Sequence, residues 1–98
     1  MKESKYKYEV VVVLNPKAES KEKEKIIKLI EDKIVAMGFE VENREDMGSK
    51  SLSYKIKGQE KGDFWVFTIL GNKPIKSEEF KLYLNRETNI IRYLILKI

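Results

Sequence analysis

Gly48-Ser-Lys-Ser-Leu-Ser-Tyr-Lys-Ile-Lys-Gly58, followed after Gln59 and Glu60 by Lys61-Gly-Asp-Phe-Trp-Val-Phe-Thr-Ile69, is the stretch on which the fold turns. Two strand-like runs flank a loop over 57–62 whose glycines bracket polar residues, so the segment reads as a β-hairpin with a longer loop. Just upstream, Phe39-Glu40-Val41-Glu42 carries its apolar residues at odd positions. After Gly48 the apolar residues Leu52, Tyr54 and Ile56 fall at even ones. A period-two pattern cannot change parity without an extra or irregular residue. The sequence therefore predicts a bulge or break between Asn43 and Ser49, at Gly48. It also predicts that Lys50 and the polar residues Ser51, Ser53, Lys55 and Lys57 point outward while Leu52, Tyr54 and Ile56 stay packed.

The second arm of the hairpin, Asp63 to Leu70, is apolar on both faces, with Phe64 and Val66 opposite Trp65, Phe67 and Ile69. Such a run belongs in the interior of a sheet. The same holds for Tyr6 to Leu14, where Lys7 and Glu9 alternate with Tyr6, Tyr8 and Val10 before four valines and a leucine lead to Asn15-Pro16. Between this strand and the hairpin, Ile26, Ile27, Ile30, Ile34 and Met37 share one stripe of a helical wheel. Ser20 is the expected cap of that helix and Gly38 its left-handed end. Beyond the hairpin, Gly71-Asn72-Lys73-Pro74 reads as a turn. Ser77 opens a short helix with Phe80, Tyr83 and Leu84 facing inward, a loop spans Asn85 to Asn89, and a last strand runs from Ile90 to Ile98.

The order is β-α-β-β-α-β. Right-handed crossovers put both helices on one face of a four-stranded antiparallel sheet, the ferredoxin-like α+β arrangement, with the first and third strands central. Ninety-eight residues, 42% hydrophobic and 37% charged, suit a single such domain over 1–98. A formal charge of +4 favours a polyanionic partner without demanding one. The chain has neither cysteine nor histidine, which removes disulfides, Cys or His nucleophiles and nearly all zinc chemistry. No run approaches the ~20 apolar residues of a membrane span and no apolar signal core precedes the first strand, so a cytoplasmic protein without a membrane role is expected.

Little here points to catalysis. Glu45 with Asp46 is the tight acidic pair outside the helices, and turns use such residues routinely. Ser49, Ser51 and Ser53 have no histidine to activate them. Gly58 and Gly62 lack the lysine-serine ending of a phosphate loop. Acylphosphatases share the element order, but a phosphate-cradling loop with arginine near the amino terminus is not visible. No catalytic residue, metal site or cofactor is assigned.

Nucleic-acid binding has more support, in two versions. An RRM would stack bases on aromatic residues of its third strand. Of three platform positions only Trp65 is aromatic, Asp63 and Thr68 filling the others, so sheet packing is favoured for Trp65. The second version uses phosphate contacts from loops and strand ends on folded RNA, and Lys50, Lys55, Lys57, Arg86 and Arg92 suit it. Singly, each reads equally as a solvated charge.

Three pieces together resemble the bacterial small-subunit ribosomal protein six family. Tyr8-Glu9-Val10 with Leu14-Asn15-Pro16 is similar to its opening strand. Glu45-Asp46-Met47-Gly48-Ser49-Lys50-Ser51-Leu52-Ser53-Tyr54-Lys55-Ile56 resembles its signature turn and strand, and Asn89-Ile90-Ile91-Arg92-Tyr93-Leu94-Ile95 its last strand. The resemblance implies a noncatalytic, ribosome-associated protein that binds the central domain of small-subunit ribosomal RNA, at the platform, together with ribosomal protein eighteen. Carried over residue by residue, it makes Lys7, Lys50 and Arg92 candidate RNA contacts. Ser51 stands where the family has a second basic residue and Lys55 where it has proline, so Lys55 is a substitute contact on the polar face. Arg86 is placed less closely because the second helix looks short and the loop after it long. Leu52 and Tyr54 are candidate contacts to a protein partner. The chain stops at Ile98, leaving any family contact through a carboxy-terminal extension without a counterpart. Two rivals remain open: an RRM-like single-strand binder, and a ferredoxin-like protein-interaction or ligand-sensing module that ignores RNA.

Overall fold

The valine run of β1, Tyr6–Leu14, is the axis of the molecule in the computed structural model, which describes residues 5–56 and 58–98, the side chains of Ser53, Tyr54 and Ile56 excepted. Along β1 the residues alternate between two surfaces. Tyr8, Val10, Val12 and Leu14 lie against the helices with at most 7% exposure, while Lys7, Glu9 and Val11 face the other way. The elements follow in the order β1, α1 (Ser20–Ala36), β2 (Glu40–Ile56), β3 (Gln59–Gly71), α2 (Ser77–Arg86) and β4 (Ile90–Lys97). The sheet order is β2-β3-β1-β4, antiparallel throughout, so the two doubly apolar runs are the central strands and the expected ferredoxin-like arrangement is realised.

Both helices cover one face. Ile26, Ile27, Ile30 and Ile34 of α1 and Phe80 and Leu84 of α2 close over Val10, Val12, Leu14, Phe67 and Ile69. Each such aliphatic or aromatic side chain contributes about 1.5 to 3 kcal/mol of burial. Residues of this type recur at helical spacing in α1 and at alternate positions in the strands, which is why the two periodicities meet in one layer. Tyr8 packs edge-on against Phe39 at 5.8 Å, and its hydroxyl accepts the Ile75 backbone N–H at 3.2 Å, tying the segment before α2 to the central strand.

The helix ends separate correct from incorrect expectations. At Gly38, φ is +88°, and the N–H groups of Gly38 and Phe39 donate to the carbonyls of Val35 and Ile34, a Schellman stop. Ser20, by contrast, is the first helical residue and not the cap. Glu19 occupies that position without a side-chain hydrogen bond, and Glu22 in the first turn is left to complement the helix dipole.

The hairpin is tighter and longer than expected. β2 ends at Ile56 and β3 begins at Gln59, so the connection is two residues, not six. Gly58 supplies φ +78° there, while Lys57 lies outside the described residues. The segment between α2 and β4 also shrinks, to residues 87–89, with Arg86 the last residue of α2.

The predicted irregularity is present: Asp46 opposes Trp65 and Gly48 opposes Phe64, leaving Met47 as the extra residue. Gly48 has φ +78°, and its N–H donates to Asp46 Oδ1 at 2.9 Å. A second bulge lies between Val41 and Asn43, where Glu42 is extra. Each bulge reverses the alternation once, so the two cancel. Lys50, opposite Gly62, therefore lies on the face away from the helices. A third irregularity follows between Ser51 and Ile56, beyond which Ile56 opposes Gln59.

Candidate nucleic-acid interface

Gly62 fixes the open face at one end of the sheet. A Cβ added there would run into the Val13 side chain and come within 3.6 Å of Ile91, so only glycine lets Val13 and Ile91 close over β3 at this point. Ile91 is itself displaced by a register shift between Val13 and Leu14, which leaves Arg92 opposite Val13. Lys50 opposes Gly62 from the other side. The signature lysine and the last-strand arginine thus stand on the same face and at the same end, on the two outer strands. Three strand spacings of about 4.8 Å, with an offset of two residues along the strands, put them roughly 16 Å apart. Both are exposed, and among the described residues neither has a carboxylate within ion-pair distance.

Apolar side chains lie between and beyond them. Val11, Phe64 and Val66 are half-buried on the central strands, and Leu94 and Leu96 of β4 are 50% and 40% exposed. Register puts these five on one surface, with Val11 opposite Val66 and Leu94. An acidic margin runs beside this strip: Glu9 on β1, and Glu40 and Glu45 on β2, opposite Leu70 and Val66.

The other candidate residues are dispersed. Lys7 is also on the open face, but six positions from Val13 along β1, about 20 Å at 3.3 Å per residue, and it pairs with Glu42 at 3.4 Å. Lys55, near the tip of the hairpin, faces Glu60 at 3.9 Å with both side chains well exposed, a pair worth little in water. Arg86 does not join this surface. It borders a groove of the helical layer with Ile26, Leu29, Tyr83 and Ile90. The Tyr54 side chain lies outside the described residues.

Trp65 points into the covered side, opposite Val12, and packs against the core. The Arg44 guanidinium lies 5.9 Å from its ring while also bonding both carboxylate oxygens of Glu31 at 3.1 and 3.2 Å. A base-stacking platform needs its ring on the open face, where this chain has Phe64 and Val66. The packing reading of Trp65 holds.

Sequence reading passed over two further groups of charges. Lys23 of α1 bonds Asp63 and the Pro16 carbonyl, fastening α1 to β3 beside the hairpin base. Lys33, Lys73 and Lys76 converge at the opposite end of the molecule. Forty residues separate the first of these lysines from the other two, so no local pattern could unite them. Among the described residues no three acidic side chains are placed to hold a metal ion, and no helix is long and apolar enough to cross a membrane.

Comparison with known proteins bears on the chain and its fold. The family model described as ribosomal protein S6 matches residues 7–97. The small ribosomal subunit protein bS6 of Christiangramia forsetii is 31% identical over 91 residues, covering 93% of this chain and 80% of that protein. The bS6 of Caldanaerobacter subterraneus subsp. tengcongensis is 28% identical over 90 residues, covering 92% and 94%. In fold, the chain is similar to the crystal structure of 30S ribosomal protein S6 from Thermotoga maritima, with a TM-score of 0.85 at 21% identity over 95% of this chain and 87% of that one.

Proposed function

Because the chain belongs to the ribosomal protein S6 family of the small subunit, a structural and not an enzymatic family whose members work on the ribosome in the cytoplasm, we propose that it acts as one domain holding the central domain of small-subunit ribosomal RNA, at the platform, together with ribosomal protein eighteen. The observation that carries this reading is the pairing, on one uncovered sheet face, of an apolar strip with Lys50 and Arg92, neither of which has an ion-pair partner among the described residues. The cations suit RNA phosphates, and the strip suits a protein.

The mechanism is positional. A four-stranded sheet braced by two helices holds the backbone of Lys50 and Arg92 at a fixed separation, so only their side chains have to be ordered on phosphates. Lys7 and Lys55 must exchange Glu42 and Glu60 for phosphate, and both pairs are exposed enough for that exchange to cost little. Glu9, Glu40 and Glu45 beside Val11, Val66, Leu94 and Leu96 give the protein-binding strip an acidic edge, complementary to a small basic partner. Arg86, on the helical layer, is left out of this contact set.

Each neutralised phosphate releases counterions, so affinity falls with salt by roughly 0.7 to 0.9 log units per log unit of salt and contact. Lys50→Ala with Arg92→Ala should weaken assembly with the RNA and its protein partner and lower the salt slope by about 1.5. Unchanged affinity and slope in a filter-binding titration would remove these two residues from the interface.

A further inference from the structure

The cavity between the end of α1 and the start of α2 has a lining of net positive charge, and nothing above gives it a role. It has a volume of about 290 Å³ and is lined by Lys33, Lys73 and Lys76, with Glu79 as its carboxylate and Met37 and Phe39 contributing apolar wall. Three lysines and one glutamate thus line a cleft large enough for a phosphate with part of its sugar. Among the described residues none of the three lysines has an ion-pair partner. Lys33 is steadied 5.5 Å above the Tyr83 ring, whereas Lys73 and Lys76 are exposed. Lysine binds phosphate as a point charge, and such a group of lysines without arginine suits a phosphodiester better than a planar carboxylate.

The position matters as much as the charge. Phe39, in the wall of the cleft, packs on Gly71 at the far end of β3, nine residues from Gly62, or about 30 Å at 3.3 Å per residue. The cleft also belongs to the helical layer, on the opposite side of the sheet from Lys50 and Arg92. A straight duplex laid along the open face does not reach it.

We propose that the Lys33–Lys73–Lys76 cleft is a second RNA-backbone site, which engages the phosphates of a segment distinct from the one at the open face. This rests on the RNA-binding reading above and extends it: the protein is a spacer between two RNA segments, not a cap on one.

The test compares three full-length proteins in complex with the RNA central domain and the partner protein: wild type, Lys50→Ala/Arg92→Ala, and Lys33→Gln/Lys73→Gln/Lys76→Gln. Thermal melting first establishes that each is folded. The triple variant should lower the salt slope by about 2. In hydroxyl-radical footprinting it should lose protection of a backbone segment that the double variant still protects. Unchanged slope and footprint in the triple variant, while the double variant is impaired, would overturn the second site and leave the open-face reading intact. Loss of binding to the partner protein without RNA would assign the cleft to a protein instead, and would equally overturn the proposal. If the wild-type protein protected no RNA, both readings would fall together.

Discussion

The two faces of the sheet are built from the same four strands, yet they differ in almost every physical respect. On the covered face Val10, Val12, Phe67 and Ile69 are completely buried. On the open face Val11 and Val66, which adjoin them in the chain, and Phe64 and Leu94 on the same surface remain partly or half exposed although equally apolar. Neighbouring residues along a strand share backbone and propensity, so the contrast isolates the effect of cover. The covered face holds the fold together. The open face keeps apolar area that folding alone does not use, and exposed apolar strips of this kind mark sites for partners.

That comparison can be broken at several points. The largest effect is expected at Phe67: Phe67→Ala should cost about 3 to 5 kcal/mol of unfolding free energy, against about 1 for Phe64→Ala on the open side. Equal losses in urea titrations would mean that the faces are not distinct. Gly71→Ala comes next. Its new Cβ would meet the buried Phe39 ring at 2.6 to 3.0 Å, and overpacking of this kind costs about 1 to 3 kcal/mol, read as a lowered melting temperature. Arg44→Ala removes the contacts to Trp65 and Glu31 at the margin of the covered face, for about 0.5 to 1 kcal/mol, and should leave Trp65 fluorescence more solvent-exposed.

Leu94→Ser sharpens the comparison in the other direction. Stability should change by no more than about 0.5 kcal/mol, as for a surface site, while affinity for the protein partner drops measurably in calorimetry. The smallest effect concerns Tyr83, whose hydroxyl donates to the Leu29 carbonyl at 3.1 Å. Burial first, then Asp32 and Glu87, push its pKa above the usual 10. The folded state thus keeps its proton longer than the unfolded one, so the stabilisation is complete below pH 10 and fades as pH rises through the folded value. Tyr83→Phe should flatten that alkaline decline in a pH-stability profile. An identical profile in the variant would remove Tyr83 as its cause.

Much of this organisation could be read in the residues. The valines of β1 and the doubly apolar β3 identified the central strands, because burial on both faces leaves no polar alternation. Gly48 disclosed its bulge through the parity change. What could not be read was the bulge at Glu42, since nothing in Val41-Glu42-Asn43 breaks a pattern already polar at two of three places. The hairpin turn was overestimated because Gln59, Glu60 and Lys61 are polar on a projecting arm, where strand residues meet water on both sides. In the candidate site, Lys50 and Arg92 were found through local resemblance. The lysine cleft was not, because only the tertiary fold brings position 33 beside 73 and 76.

The paired bulges of β2 carry a consequence for how this chain can change length. Each extra residue stands between two that already face opposite sides of the sheet, Glu42 between Val41 and Asn43 and Met47 between Asp46 and Gly48. Removing Glu42 or Met47 would therefore straighten the strand and leave Arg44 opposite Phe67 and Lys50 opposite Gly62. Loss of these two positions should be tolerated singly, as a deletion library scored for folding and RNA assembly would read directly.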